Sequence, residues 1–332
     1  MWEDYKVQQY TDDKEEQWDR FVEEDCVNGT FLQTRRFLNY HPVGRFEDCS
    51  YMIFDKKGNL AAVCPACQVT ENGEKVFYSH KGSTFGGILI SHRYYSLEKV
   101  LDIIESIEKE AGNQRFNRMI LKITPDLFCE ESGDLLQYAL YYRKYKVYNE
   151  LNLVIDYASY KEDILSNFSQ GKRTHVHNCE KQDCSLKELL DDEEIIQGHH
   201  ILSENLAKYD LKPVHTGEEL LNLKNNVIKN EIGFFGVYLD KKMIAFSTMF
   251  YFNKARVAHS QYISASQEYN ALSPMTYMYY CMIEEMKKRG FDKLSWGITT
   301  EHLGLEINMG LTKSKEAFGS RYCLNQIYEK ML

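Results

Sequence analysis

Gly233-Phe-Phe-Gly-Val-Tyr-Leu239, Met243-Ile-Ala-Phe-Ser-Thr-Met-Phe-Tyr-Phe252 and Ala255-Arg-Val-Ala-His-Ser-Gln-Tyr-Ile263 follow one another with only short turns between them. All three runs are rich in aromatic or β-branched residues, and such runs bounded by turn residues form the strands of a meander. Ser273-Pro274 then opens a segment through Arg289 whose apolar residues Met275, Met278, Tyr279, Met282, Ile283 and Met286 fall at helical spacing. Gly290 ends it, and Phe291-Asp-Lys-Leu-Ser-Trp296 returns as a short strand able to pair in parallel with the third. Three antiparallel strands, a helix and a parallel strand make the fold class α+β, a mixed and mostly antiparallel sheet flanked by helices.

The same order occurs earlier in the chain. Residues 49–54 and 60–70 read as a hairpin around Asp55-Lys-Lys-Gly58, 75–80 as a third strand, and 118–123 as a closing strand. Between the last two lies an amphipathic helix, 96–111, with Leu97, Val100, Leu101, Ile104 and Ile107 on one side. A helix (133–144) and a strand (147–155) follow this copy, just as a helical segment (302–318) and a strand (321–329) follow the other. The turns share letters too, Asp55-Lys56-Lys57 against Asp240-Lys241-Lys242. An element order met twice indicates an internal duplication. We therefore expect two lobes, 1–157 and 158–332, with the boundary near Tyr157. A strand at 5–10 and a helix at 12–24 precede the first copy, and helices at 160–180, 185–210 and 216–230 join the two.

Composition narrows the function classes. A chain of 332 residues suits two cores better than one, and 43% hydrophobic with 27% charged residues is a globular balance. The formal net charge of −9 argues against a duplex-DNA footprint and leaves nucleic acid only as a local contact. No stretch approaches the ~18 apolar residues of a membrane span, and Met1-Trp-Glu-Asp-Tyr-Lys6 is no leader, so a cytoplasmic location is expected. Nine irregularly spaced cysteines fit free thiols and no disulfide.

Four stretches add detail: Phe31-Leu-Gln-Thr34, Ser79-His-Lys-Gly-Ser-Thr-Phe-Gly-Gly87, Lys172-Arg-Thr-His-Val-His-Asn-Cys-Glu-Lys181, and Asn308-x-Gly310-Leu311 with Lys315-x-x-Phe318-Gly319. With them, nearly the whole chain resembles the FemAB/FemX group of tandem-GNAT aminoacyltransferases and their GNAT-type acyltransferase relatives. They are similar, in order, to that group's Leu-Gln-Ser/Thr segment, N-lobe glycine loop, inter-lobe basic helix and Phe-Lys-x-x-Phe-Gly motif. The resemblance implies two tandem GNAT-like lobes, with an amine acceptor held in the cleft between them and an acyl or aminoacyl group transferred to it. The acceptor is expected to be a small molecule or a cell-wall or sugar-linked amine, the protein a monomer or dimer. Lys315 is implied as the catalytic cation, and Arg173, Lys181, His41, Gly86 and Gly87 as acceptor-binding residues. His259 and Tyr262, on the strand beside the expected cleft, are secondary candidates for the acceptor.

Departures from the pattern bear on the acceptor. His41 stands where a basic residue is common, His177-Asn178 where the basic helix reads Arg-Lys, and Ser314 in place of the motif's first Phe. Neutral imidazole supplies a hydrogen bond but little charge, so a diphosphate-linked acceptor is held less firmly. The donor stays open between acyl-CoA and aminoacyl-tRNA, with tRNA then the carrier. The GNAT phosphate loop maps onto Gln267-Glu-Tyr-Asn-Ala-Leu272, where Asn270 tolerates a left-handed conformation but Leu272 brings bulk where the phosphate lies. Gln267 and Asn270 are the candidate donor-binding residues. No metal is expected: His175-x-His177-x-Cys179-x4-Cys184 matches no closed zinc site, and Cys64-Pro-Ala-Cys67 is read as buried thiols within a strand. No Ser-His-Asp set appears, so transfer is direct, with the amine attacking the carbonyl and a nearby group or water chain taking its proton. Two alternatives remain, an acyl-CoA-dependent N-acetyltransferase of an amino sugar or small amine, and a catalytically degenerate binding module of the same fold.

Overall fold

The computed structural model describes residues 5–208 and 210–332. The chain divides into two compact units, Met1–Glu150 with Glu301–Glu306 and Leu324–Leu332, and Leu151–Thr300 with Ile307–Cys323. Two C-terminal stretches thus belong with the first unit, unlike the contiguous division at Tyr157. The reason for the last of them is strand pairing, since Ile327–Met331 lies antiparallel to residues 118–122.

The first unit carries strands β1 (Lys6–Gln9), β2 (Glu47–Asp48), β3 (Tyr51–Phe54), β4 (Leu60–Cys64), β5 (Cys67–Glu71), β6 (Glu74–Ser79), β7 (Leu89–Ile90) and β8 (Arg118–Lys122). Its helices are α1 (Glu15–Arg20), α2 (Arg35–Leu38), α3 (Leu97–Asn113) and α4 (Asp134–Tyr142). Pro65 divides the stretch read as one strand at 60–70. Lacking an N–H, it ends the ladder; β4 pairs with β3 and β7, while β5 turns to β6 and β2. Cys64 and Cys67 accordingly flank a break, rather than sitting within one strand, and both are buried free thiols. Beyond the helix, β8 pairs in parallel with β6. Val100, Ile103, Ile104 and Ile107 of α3 share a core with Phe77, Met119 and Leu121.

The chain enters the second unit along β9 (Lys146–Asp156). That unit contains α5 (Gln170–Glu180), β10 (Ser185–Glu188), α6 (Asp192–Ala207), α7 (Gly217–Asn222), β11 (Ile232–Leu239), β12 (Lys242–Phe252), β13 (Val257–Ala265), α8 (Pro274–Lys288), β14 (Lys293–Ile298) and α9 (Met309–Glu316). The short β15 (Thr300–Glu301) and β16 (Glu306–Ile307) precede α9, and β17 (Arg321–Met331) ends the chain. Strands run in the order β10-β11-β12-β13-β14-β9, antiparallel except for β13 beside β14. Met278, Met282 and Met286 of α8 pack with Phe235, Met249, Trp296 and Phe318.

Several expected helices are shorter than their sequence pattern, and in three of them the local cause is visible. Residues 185–188 form β10 because the outer edge of β11 offers unpaired main-chain groups, and α6 starts only where the Asp191 carboxylate accepts the N–H groups of Glu193 and Glu194. The helix expected at 160–180 begins at Gln170, capped by Ser169. That at 302–318 begins at Met309, because Leu303 (φ 59°) and Gly304 (φ 84°) are both left-handed and Asn308 Oδ1 then caps the Leu311 N–H at 2.9 Å. Among the described residues, no helix is long and apolar enough to cross a membrane.

Candidate functional site

β13 and β14 pair over only three positions, Val257 with Lys293, Ala258 with Leu294 and His259 with Ser295. Past His259, β13 runs on to Ala265 paired with β12 alone; among the described residues its other edge has no strand partner there. Gln261 is an extra residue between the Met249–Ser260 and Thr248–Tyr262 pairs, and such a bulge bends a strand. β14 meanwhile keeps to β9 as far as Ile298, with a register shift after Ser295.

Lys315 accounts for the parting. Successive carbonyls of a regular strand point to alternate sides. Gly297 has φ 77°, a value glycine adopts without steric cost, and around it three consecutive carbonyls converge on one ammonium. Lys315 Nζ donates to Trp296 O at 2.7 Å, Gly297 O at 3.1 Å and Ile298 O at 3.3 Å. Three acceptors match the three N–H bonds of a lysine. Carbonyls so engaged do not extend a ladder to β13. Lys315 is only 4% exposed, and burial pushes its pKa down to about 8, which leaves it mainly charged at neutral pH.

On one face of the junction His259 Nδ1 lies 3.0 Å from Ser295 Oγ, which also accepts from Asn152 Nδ2 at 3.2 Å and from the Gly297 N–H at 3.3 Å. Burial, and secondly the Lys315 charge, lower the His259 pKa to about 4. The imidazole is neutral at physiological pH, a hydrogen-bonding group and only a weak base. Tyr262 lies on the same strand face, its hydroxyl 2.6 Å from His215 Nδ1 and accepting the His215 N–H at 3.3 Å.

The helix that resembles the basic helix behaves differently along its length. Lys172 Nζ donates to Ser314 Oγ at 3.1 Å, reaches Thr276 Oγ1 at 3.5 Å and sits 4.5 Å from the Phe318 ring centre. The serine in place of the motif's first Phe thus supplies this lysine with an acceptor. Arg173 caps Phe168 O at 2.8 Å, while Lys181 is exposed. Residues 267–272 form a 3₁₀ turn rather than an open loop, and the left-handed residue is Ser273 (φ 57°, ψ 48°), not Asn270. Leu272 O accepts the Cys179 thiol at 3.0 Å, so this turn is tied back to α5.

His41, Gly86 and Gly87 belong to the first unit. The Gly86 N–H donates to Lys122 O at 2.7 Å and the Gly87 N–H to Ser79 Oγ at 2.7 Å. A Cβ on Gly86 would stand 2.9 Å from the Ser79 carbonyl carbon, and one on Gly87 (φ 82°) 2.8 Å from Ile123 Cα. These glycines let the chain fill the place where β6 and β8 separate, with Gly86 bridged to Ile123; no such bridge among the described residues closes β13 from β14. Gln33 holds the same segment through Gly86 O at 3.1 Å and Thr124 Oγ1 at 2.7 Å, and His41 Nε2 lies 2.8 Å from Gly82 O.

Of the residues read from sequence, the structure brings His259 and Lys315 together, on either side of Gly297, whose Cβ would stand 3.6 Å from His259 Cε1. Sequence reasoning missed Ser295, Asn152, Lys172 and His215. Lys172 was in the quoted basic stretch, but nothing in the sequence couples Ser295 to Asn152. Among the described residues, no group of three or more His, Cys, Asp or Glu is arranged to hold a metal.

Residues 212–303 match the family described as Acetyltransferase (GNAT) domain. Among solved structures the chain is similar to FemX, with TM-score 0.69 and 12% identity over 98% of this chain and 97% of that one. It is also similar to L-PGS from Bacillus licheniformis (0.62, 11%, 96% and 91%) and to a tandem GNAT protein from the clavulanic acid biosynthesis pathway (0.55, 8%, 99% and 98%). No curated protein sequence matches. The chain has a FemX-like tandem GNAT fold, two lobes of mixed sheet flanked by helices.

Proposed function

We propose that this GNAT-type fold performs acyl transfer in its second unit, moving an acyl or aminoacyl group from a carrier to the amine of a small or cell-wall-linked acceptor. One observation supports this most: β13 and β14 part directly after His259 and Ser295. An unpaired strand edge takes up an extended, amide-bearing chain by main-chain hydrogen bonding, and here it lies beside a buried polar cluster. The amine nitrogen attacks the acyl carbonyl, and solvent or a water chain takes its proton, since His259 is too weak a base to do so alone. His259 with Ser295 orients the reacting groups. Lys315 acts through the carbonyls it holds, keeping the strands apart, and its charge favours the developing oxyanion. Arg173 and Lys181 serve acceptor binding.

The closed turn at 267–272 favours aminoacyl-tRNA over acyl-CoA as donor, because its Leu272 carbonyl and αR backbone make a poor cradle for a pyrophosphate. Thermal-shift measurements with acetyl-CoA, CoA, aminoacyl-tRNA and deacylated tRNA test the reading. A ligand at a hundredfold excess over its Kd stabilises the folded state by about 2.7 kcal/mol. An acylated carrier should raise Tm; if none of the four does, the acyl-transfer reading is wrong.

A further inference from the structure

The first residues beyond the last β13–β14 pair are Ser260 and Trp296, and both carry a buried polar atom without a hydrogen-bond partner. Ser260 Oγ and Trp296 Nε1 are the atoms concerned, in side chains 8% and 4% exposed. The two side chains share a sheet face. Ser260 pairs in register with Met249, and Met249, Trp296 and the α8 residue Tyr279 belong to one packed cluster. Two other partnerless hydroxyls, on Thr248 and Ser264, lie on the opposite face, where Thr248 pairs with Tyr262 and Ser264 with Phe246.

An orphan buried donor costs roughly 1–3 kcal/mol, whereas an apolar replacement of the same shape is close to neutral. Packing does not require these atoms. The Trp296 ring is nevertheless fixed: Tyr279 meets it edge-on with centroids 4.5 Å apart, and Tyr279 stacks on Phe318 at 4.8 Å. The indole N–H is thus a fixed, desolvated donor, the kind that stabilises developing charge most strongly, and a carbonyl oxygen reaches it when the parted edges of β13 and β14 move to admit the acyl chain.

We infer that the Trp296 indole N–H, with the Ser260 hydroxyl, binds the carbonyl oxygen of the acyl group and stabilises the oxyanion formed on it. This rests on the acyl-transfer reading above. In the step itself, the amine nitrogen forms the new C–N bond while the carbonyl π pair moves to oxygen, where Trp296 and Ser260 donate to it. On collapse that pair returns, the C–S or C–O bond to the carrier breaks, and the leaving sulfur or oxygen gains the proton that the ammonium releases. Trp296 is then a catalytic residue by side chain, while its own carbonyl, bound to Lys315, holds the strand bend that sets the ring in place.

The test observes the N–H directly. The chain has three tryptophans, and the ¹H–¹⁵N indole resonance of Trp296 is identified by its loss in Trp296→Phe. Acetyl-CoA or aminoacyl-tRNA should move it downfield; CoA or deacylated tRNA should not. In Trp296→Phe the preference for acylated over free carrier should fall about fivefold, the value of one neutral hydrogen bond, measured well below a Tm that the smaller ring lowers. Ser260→Ala should weaken the same preference. A resonance that stays put while an acylated carrier binds, or a Trp296→Phe protein that keeps the full preference, overturns the assignment. Binding of no carrier by the wild-type protein overturns the acyl-transfer reading, and this role with it.

Discussion

Replacing Lys315 by Met keeps the aliphatic stem and removes the charge and all three N–H donors. Trp296 O, Gly297 O and Ile298 O then lose their common partner. A buried carbonyl left unsatisfied costs roughly 1–3 kcal/mol, offset in part because the desolvation that lowers the Lys315 pKa is relieved. A net loss of about 3 kcal/mol results, and at ~2–4 °C per kcal/mol for a unit of this size Tm should fall by about 6–12 °C. Thermal unfolding followed by circular dichroism reads this out, with Lys313→Met as control, since Lys313 is exposed on the same helix and should change stability by less than ~0.5 kcal/mol. Turnover, compared below the lowered Tm, should fall a further ~10²–10³-fold if the charge also acts on the oxyanion. A Lys315→Met protein as stable as the wild type would refute the strand-parting role and leave this lysine only its charge.

Two further outcomes follow from groups already described. The folded pKa of His259 is near 4 and its unfolded value about 6.5; between these the unfolded chain binds the proton, so stability is complete above pH 6.5 and is lost as pH falls toward 4, by roughly 3 kcal/mol. His80, lowered to about 4 by burial, adds a similar slope; in urea titrations across this range His259→Gln should remove about half of the combined loss, and an unchanged slope would contradict the burial of His259. Gly87→Ala places a Cβ against Ile123 at a left-handed residue, so the urea midpoint should drop by an amount equivalent to ~2–4 kcal/mol; an unaltered midpoint would mean that the backbones do not approach so closely.

Legibility varied with how local the cause was. The order β11 to β14 was readable because Phe234, Phe235, Phe246, Phe250 and the α8 methionines impose strand and helix periods on contiguous segments. Pro65 was a local signal as well, but its effect, sending β4 and β5 to different partners, depends on which edges are free. Ser185–Glu188 reads as helix beside 189–210 and becomes a strand only because β11 is there to pair with. The site shows the same division. Gly297 and Lys315 are plain in the sequence, yet that they meet, and so end the pairing of β13 with β14, is a matter of α9 docking on the strand end. Conversely, the glycines at 86 and 87 read as acceptor-binding residues, whereas their N–H groups donate to Lys122 O and Ser79 Oγ. Composition cannot reveal whether a donor is already occupied.

The four residues of β10 also bear on how this chain avoids sticking to others. β11 is almost continuously apolar, from Ile232 through Phe234, Phe235 and Val237, and a bare edge of that kind templates pairing with any extended neighbour. β10 covers it with a strand too short to recruit another, whose Lys187 pairs with Glu194 at 2.5 Å and whose Glu188 pairs with Arg289 at 2.8 Å. Charges tethered in this way cannot be stripped easily to admit a further strand. The sheet therefore ends in a short, ionic selvedge, and resistance to intermolecular β-aggregation at high concentration depends on these few residues more than on the depth of the core.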